Sequence, residues 1–258
     1  MKRIPLILLT TLGLFLTANA GFKDWGNKAL SIFGQSAESG ELANGAFGSA
    51  EELVSALREA LAVSAERALT DLSQSGGFSN SDLYRIPLPK SVESLRKPLA
   101  LVKREDLLED FQLTLNRAAE EGVAAAPSVV KDTIQNLSLQ DLQELWKGEE
   151  DAITRFLEKR SRDQLAERTL PLISHATDST GATSSYKKLH AALPASNSGF
   201  FSKIQSFTGI KSEDLDLDNY VNEQALNALF SAMAAEEKAI RENPAARSTD
   251  LLKKLFGR

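Results

Sequence analysis

The sequence predicts an all-α fold: a single irregular multi-helix domain preceded by a cleavable signal peptide. Three observations carry that prediction. Apolar residues recur at steps of three and four along most of the chain; no run of alternating apolar and polar residues is long enough for a half-buried strand; and no internal repeat of solenoid length appears. With 42% hydrophobic and 25% charged residues, the 258-residue chain has an ordinary globular balance and enough length for a sizeable core.

The N-terminus reads as a leader. Met1-Lys2-Arg3 is basic, Ile4 to Thr17 is a short apolar stretch, and Ala18-Asn19-Ala20 places small side chains where a signal peptidase needs them. The expectation is cleavage after Ala20, export to the periplasm, and no transmembrane segment in the mature chain, because the apolar stretch falls short of the ~20 residues a membrane-spanning helix needs. Residues 21–48, rich in Gly, Ser and Ala, read as a loosely packed arm, and residues 49–258 as the helical domain. The chain has no cysteine, so neither a disulfide framework nor a thiolate metal site is available to it. The formal charge of −5 becomes −7 when Lys2 and Arg3 are removed, which opposes nonspecific attachment to nucleic acid.

Leu53, Leu57, Leu61, Ala65, Ala68 and Leu72 form the stripe of a first helix, which Gly76 and Gly77 terminate. Ser75 to Lys90, with its Ile86-Pro87-Leu88-Pro89 step, reads as a rigid non-helical connector, since each proline lacks a donor and holds its predecessor extended. Leu107, Leu108, Phe111, Leu115, Ala118, Ala119 and Gly122 mark a second helix, and beyond Pro127 the pattern resumes through Val129, Val130, Ile134 and Leu137. Ser138 and Asp141 suggest a capped short helix ending near Gly148. A further helix runs over Glu149 to Ile173 with a bend at Pro171, followed by loops at 177–183 and 194–199. Asp218 is the expected N-cap of a long helix with Val221, Ala225, Leu226, Leu229, Phe230 and Met233 on its buried face; Asn243-Pro244 stops it, and Ser248 caps a last short helix closed by Gly257.

Three segments, in order and spacing, carry a resemblance. They are Gly77-Phe78 through Arg85-Ile86-Pro87-Leu88-Pro89; Asn116-Arg117-Ala118-Ala119-Glu120 with the stretch from Gly148 to Phe156; and Asp218-Asn219-Tyr220-Val221 through Glu236-Glu237-Lys238 and Pro244-Ala245-Ala246-Arg247 to Phe256-Gly257. From about Ala50 onward the chain resembles the exported bacterial family of unknown function numbered 4197. The family's Gly-Gly-x-Asp-Ala-Ala-Thr-like run is replaced here by Gly148-Glu149-Glu150-Asp151-Ala152-Ile153-Thr154. The resemblance implies an exported, mainly helical domain and brings no catalytic residues with it.

The residues themselves point to one interior polar site. Asn116 and Glu120 stand four apart on one helix face beside the apolar stripe, where small Ala118, Ala119 and Gly122 let another backbone approach; an unpaired carboxylate there is costly and needs donors. They are expected to fasten a loop or bind a ligand, with Arg155 and Arg247 as charge partners. Arg117 and Glu121 read as a parallel surface pair, and Arg155, Lys159 and Arg162 as a solvated basic stripe neutralised by Glu149, Glu150, Asp151 and Glu158. Arg241 and Arg247 bracket a helix corner whose open carbonyls suit a guanidinium, and Tyr220 is a candidate to cover the surface near Ile86 and Pro87.

Catalytic templates find no match. His175 and His190 are the only histidines, neither belongs to a His-Glu-x-x-His pattern, and no nucleophile elbow, phosphate loop or dinucleotide fingerprint occurs. Asp214, Asp216 and Asp218 lack the glycine and glutamate of a calcium loop and read as helix caps. No metal and no cofactor are expected. The sequence therefore favours a noncatalytic binding or envelope-associated module whose partner is an envelope protein or a small ligand, and keeps as its alternative a carboxylate-dependent hydrolase using Glu120 and Asp151.

Overall fold

The computed structural model describes residues 47–137, 149–192 and 216–257. Among them every regular element is a helix: α1 (Ala50–Leu72), α2 (Lys90–Glu93), α3 (Arg96–Leu101), α4 (Asp106–Ala125), α5 (Pro127–Gln135), α6 (Ala152–Ser179), α7 (Ala182–Ala191), α8 (Leu217–Glu242) and α9 (Asp250–Phe256), with a 3-10 turn at Pro244–Ala246. The leader, most of the 21–48 arm, the helix expected after Ser138 and the 194–199 loop lie outside the described residues.

Helix α1 starts where Ser49 accepts the Glu52 amide at 3.2 Å while the Glu52 carboxylate reaches back to the Gly48 amide at 2.7 Å, a variant of the capping box. Twelve of its 23 residues are buried, a share too large for a one-sided surface helix. Helix α1 is accordingly the central rod, packed by α8 along its length and flanked by α4, α5 and α9. It ends at Leu72 with Ser73 as cap, and Gly76, with φ of +94°, turns the chain four residues later; the glycines end the turn rather than the helix.

A second layer is built by α6, which packs against both α8 and α4. Its buried row runs Ile153, Leu157, Ser161, Leu165, Thr169, Ile173, in steps of four throughout. The hydroxyls in that row return to the backbone: Ser161 donates to the Leu157 carbonyl at 2.5 Å and Thr169 to the Leu165 carbonyl at 2.8 Å. Pro171 lies inside the helix, which continues to Ser179, so the expected loop at 177–183 shrinks to a turn around Gly181 (φ +78°) before α7. Asn222 of α8 locks the α6–α8 seam, donating to the Ala166 carbonyl at 2.9 Å and accepting from Thr169 at 2.7 Å.

Gly122 sets the approach of α4 to α6. A Cβ at this position would stand 2.2 Å from Ile173 Cδ1 and 3.2 Å from its Cγ1. Replacement Gly122→Val is expected to push the helices apart and lower stability by about 1–3 kcal/mol, the usual range for overpacking; a shift of the urea midpoint measures it.

The termini of α8 and α9 are capped one or two residues away from the expected positions. Asp216, not Asp218, caps α8 by accepting the Asn219 amide at 3.0 Å, and Asp218 instead accepts the Thr177 hydroxyl at 2.5 Å. Thr249, not Ser248, caps α9 through the Leu252 amide at 3.2 Å. Helix α9 closes over the start of α1, where Lys254 hydrogen-bonds Glu52 and lies 5.1 Å over the ring of Phe47, itself buried. That bond holds the Glu52 carboxyl below its ordinary range, so its small, partly screened stabilisation is present at neutral pH and is lost as the pH falls through the lowered pKa. No helix among the described residues is long and apolar enough to cross a membrane.

Candidate functional site

Between α1 and α2 the chain runs without helix from Ser73 to Pro89, and α4 holds this strap by side chains. The spacing that puts Asn116 and Glu120 on one face of α4 aligns them with the strap's backbone. Glu120 is 7% exposed, and its Oε1 accepts four hydrogen bonds: from the amides of Gly76 (3.2 Å), Phe78 (3.2 Å) and Ser79 (3.0 Å) and from the Ser79 hydroxyl (3.1 Å). A carboxylate among converging donors is the strong form of this interaction, because the acceptor is charged.

One turn earlier, fully buried Asn116 treats Ile86 as a strand neighbour would. Its Oδ1 accepts the Ile86 amide at 2.8 Å, and its Nδ2 donates to the Ile86 carbonyl at 3.1 Å and to the Gln112 carbonyl at 2.7 Å. Gln112 adds a second donor to the Ile86 carbonyl at 3.0 Å. Pro87 and Pro89 bring no amide that needs a partner, which lets this extended piece lie against a helix instead of a sheet. Tyr220 of α8 closes the far end, its hydroxyl donating to the Pro87 carbonyl at 2.8 Å, and burial pushes that phenol's pKa up. Phe78, Ile86 and Leu88 are buried as the strap's apolar underside, with Tyr84 packed beside them.

Arg155 and Arg247 are placed elsewhere, and neither is a charge partner of Glu120. Arg155 is exposed and bonds Asp151, the residue that precedes α6, at 2.7 Å. It lines an open cleft of about 470 Å³ with Glu150, Asp151 and Lys238 over a floor of Ala234 and Ala235. The cleft's charges are matched: Lys238 meets Glu150 at 2.5 Å as Arg155 meets Asp151. Arg247 closes the C-terminus of α8, donating to the carbonyls of Ile240 at 3.0 Å and Arg241 at 2.7 Å, the corner role its position suggested. Glu121 turns from Arg117 to the Ser179 hydroxyl at 2.8 Å. Since Glu120 serves the strap and Asp151 serves Arg155, the two carboxylates of the hydrolase alternative are each engaged at different places.

A second buried carboxylate escaped the sequence reading. Glu237 of α8, 1% exposed, receives the first turn of α6: the Ile153 amide at 3.2 Å, the Thr154 amide at 2.8 Å and the Thr154 hydroxyl at 2.7 Å. Arg241, one turn on, supplies the countercharge through Nε (2.9 Å) and Nη2 (2.8 Å), and stacks 4.8 Å over the ring of Phe256 in α9. A negative side chain at a helix N-terminus is favourable both for the unpaired amides and for the helix dipole. Its signal was present: Glu237 continues the apolar row Leu229, Met233, Ile240 at steps of four and three. Among the described residues no cluster of three or more His, Asp or Glu side chains is arranged to hold a metal ion.

Fold and site together define an all-helical domain whose interior polar side chains hold its own backbone. Residues 48–257 match the family described as Protein of unknown function (DUF4197), and the chain belongs to that family. No curated protein and no solved structure matches it.

Proposed function

We propose that this chain is a noncatalytic helical module of the bacterial envelope, exported, cleaved after Ala20 and carried in the periplasm, where its surface binds an envelope protein or a small ligand. The observation that supports this reading is how its interior polar groups are spent. Asn116 and Glu120 use their hydrogen bonds on the strap, and Glu237 uses its own on α6 and Arg241. Residues so engaged shape a surface rather than transform a substrate.

Two measurements test the proposal. N-terminal sequencing of the native protein is expected to begin at Gly21, and an intact Met1 in a membrane fraction overturns the export reading. Affinity capture from envelope extracts is expected to return a partner that binds wild-type protein and folded Glu120→Gln equally. Hydrolysis of an envelope polymer that disappears in folded Glu120→Gln would establish the enzyme instead.

A further inference from the structure

The strap has the construction of a lid. Its hydrogen bonds to the surrounding helices run through side chains: Glu120, Asn116 and Gln112 of α4 and Tyr220 of α8. It also holds itself together, since the Asn80 amide bonds the Gly76 carbonyl at 3.1 Å, the Ser81 amide the Phe78 carbonyl at 3.1 Å, and the Tyr84 amide the Ser81 hydroxyl at 3.0 Å. At its entry Gly76 sits at φ +94°, a torsion that glycine leaves and regains without steric penalty; at its exit Pro87 and Pro89 stiffen the chain before α2. Opening it breaks these bonds and exposes the buried Phe78, Ile86 and Leu88, a smaller loss than that of the whole helical core, and a segment with internal bonds opens as a unit.

We propose that residues 76–89 form a latched lid that leaves α4 as one body, hinged at Gly76, and uncovers the apolar surface beneath Phe78, Ile86 and Leu88 while α1, α4, α6 and α8 stay folded. Glu120 is the latch. It alone gathers four of the strap's donors, whereas Asn116, Gln112 and Tyr220 guide the exit end. The opening belongs to the strap whatever the domain binds.

Native-state hydrogen exchange on the full mature chain reads the opening amide by amide. The amides of Phe78, Ser79 and Ile86 are expected to exchange through one common event, faster than the central amides of α1 and α8. Glu120→Gln keeps the shape and removes the charge, and should accelerate all three together by about tenfold to a hundredfold, as loss of bonds to a charged acceptor implies, while the central amides of α6 and α8 accelerate no more than the loss of global stability requires and stay slower than the strap. Tyr220→Phe, which deletes one hydroxyl at the far end, should accelerate the same set and serves if Glu120→Gln does not fold. Exchange of these amides only with global unfolding overturns the proposal. So does a Glu120→Gln effect confined to Phe78 and Ser79 with Ile86 untouched, since the strap then frays instead of opening.

Discussion

Glu237→Ala is expected to lower the stability of the domain by about 3–5 kcal/mol, the range for removing one member of a buried, hydrogen-bonded ion pair. Three donors at the start of α6 lose their acceptor, and the Arg241 guanidinium loses its countercharge. The loss should spread to α9, because Arg241 is the platform under Phe256. Glu237→Gln retains an acceptor for the Thr154 amide and should cost less. Chemical denaturation of the two variants checks the order, and equal stability of Glu237→Ala and wild type would mean that the network contributes nothing net.

Gly77→Ala is expected to cost about 3 kcal/mol, at the upper end of ordinary overpacking, because the obstacle is backbone. A Cβ on Gly77 would stand 2.4 Å from the Leu72 carbonyl oxygen and 2.6 Å from that of Asp71, so the strap itself must shift. That shift draws the amides of Gly76 and Phe78 away from Glu120. The consequence is coupling: a double-mutant cycle of Gly77→Ala with Glu120→Gln should give less than the sum of the single losses, since the first change already weakens what the second removes.

Much of this arrangement was legible in the sequence, for reasons that differ between residues. The stripes of α1, α4 and α8 are long and regular, and the Ile86-Pro87-Leu88-Pro89 step excludes helix on its own chemistry. Asn116 and Glu120 stood out because they share one helix face beside the apolar stripe, where an unpaired carboxylate is costly. Their partners did not, since an acceptor on a helix does not name the amides that fold onto it. Hydropathy also hides the length of α6, whose buried row contains Ser161 and Thr169, polar side chains made compatible with burial by their own preceding carbonyls. Short α2 and α3, of four and six residues, carry too few turns for a periodic signal. The caps of α8 and α9 were misplaced because neighbouring residues, Asp216 and Asp218 or Ser248 and Thr249, offer equivalent acceptors, and backbone geometry chooses between them.

The central claim is that Glu120 works as an internal fastening, and equilibrium urea denaturation of Glu120→Gln tests it most directly. The substitution should move the midpoint down with an unchanged slope, a loss of about 1–3 kcal/mol, because three amides and a hydroxyl lose a charged acceptor while the surface exposed on unfolding stays the same. A midpoint equal to that of the wild type would contradict the account, leaving Glu120 no part in holding the strap to α4.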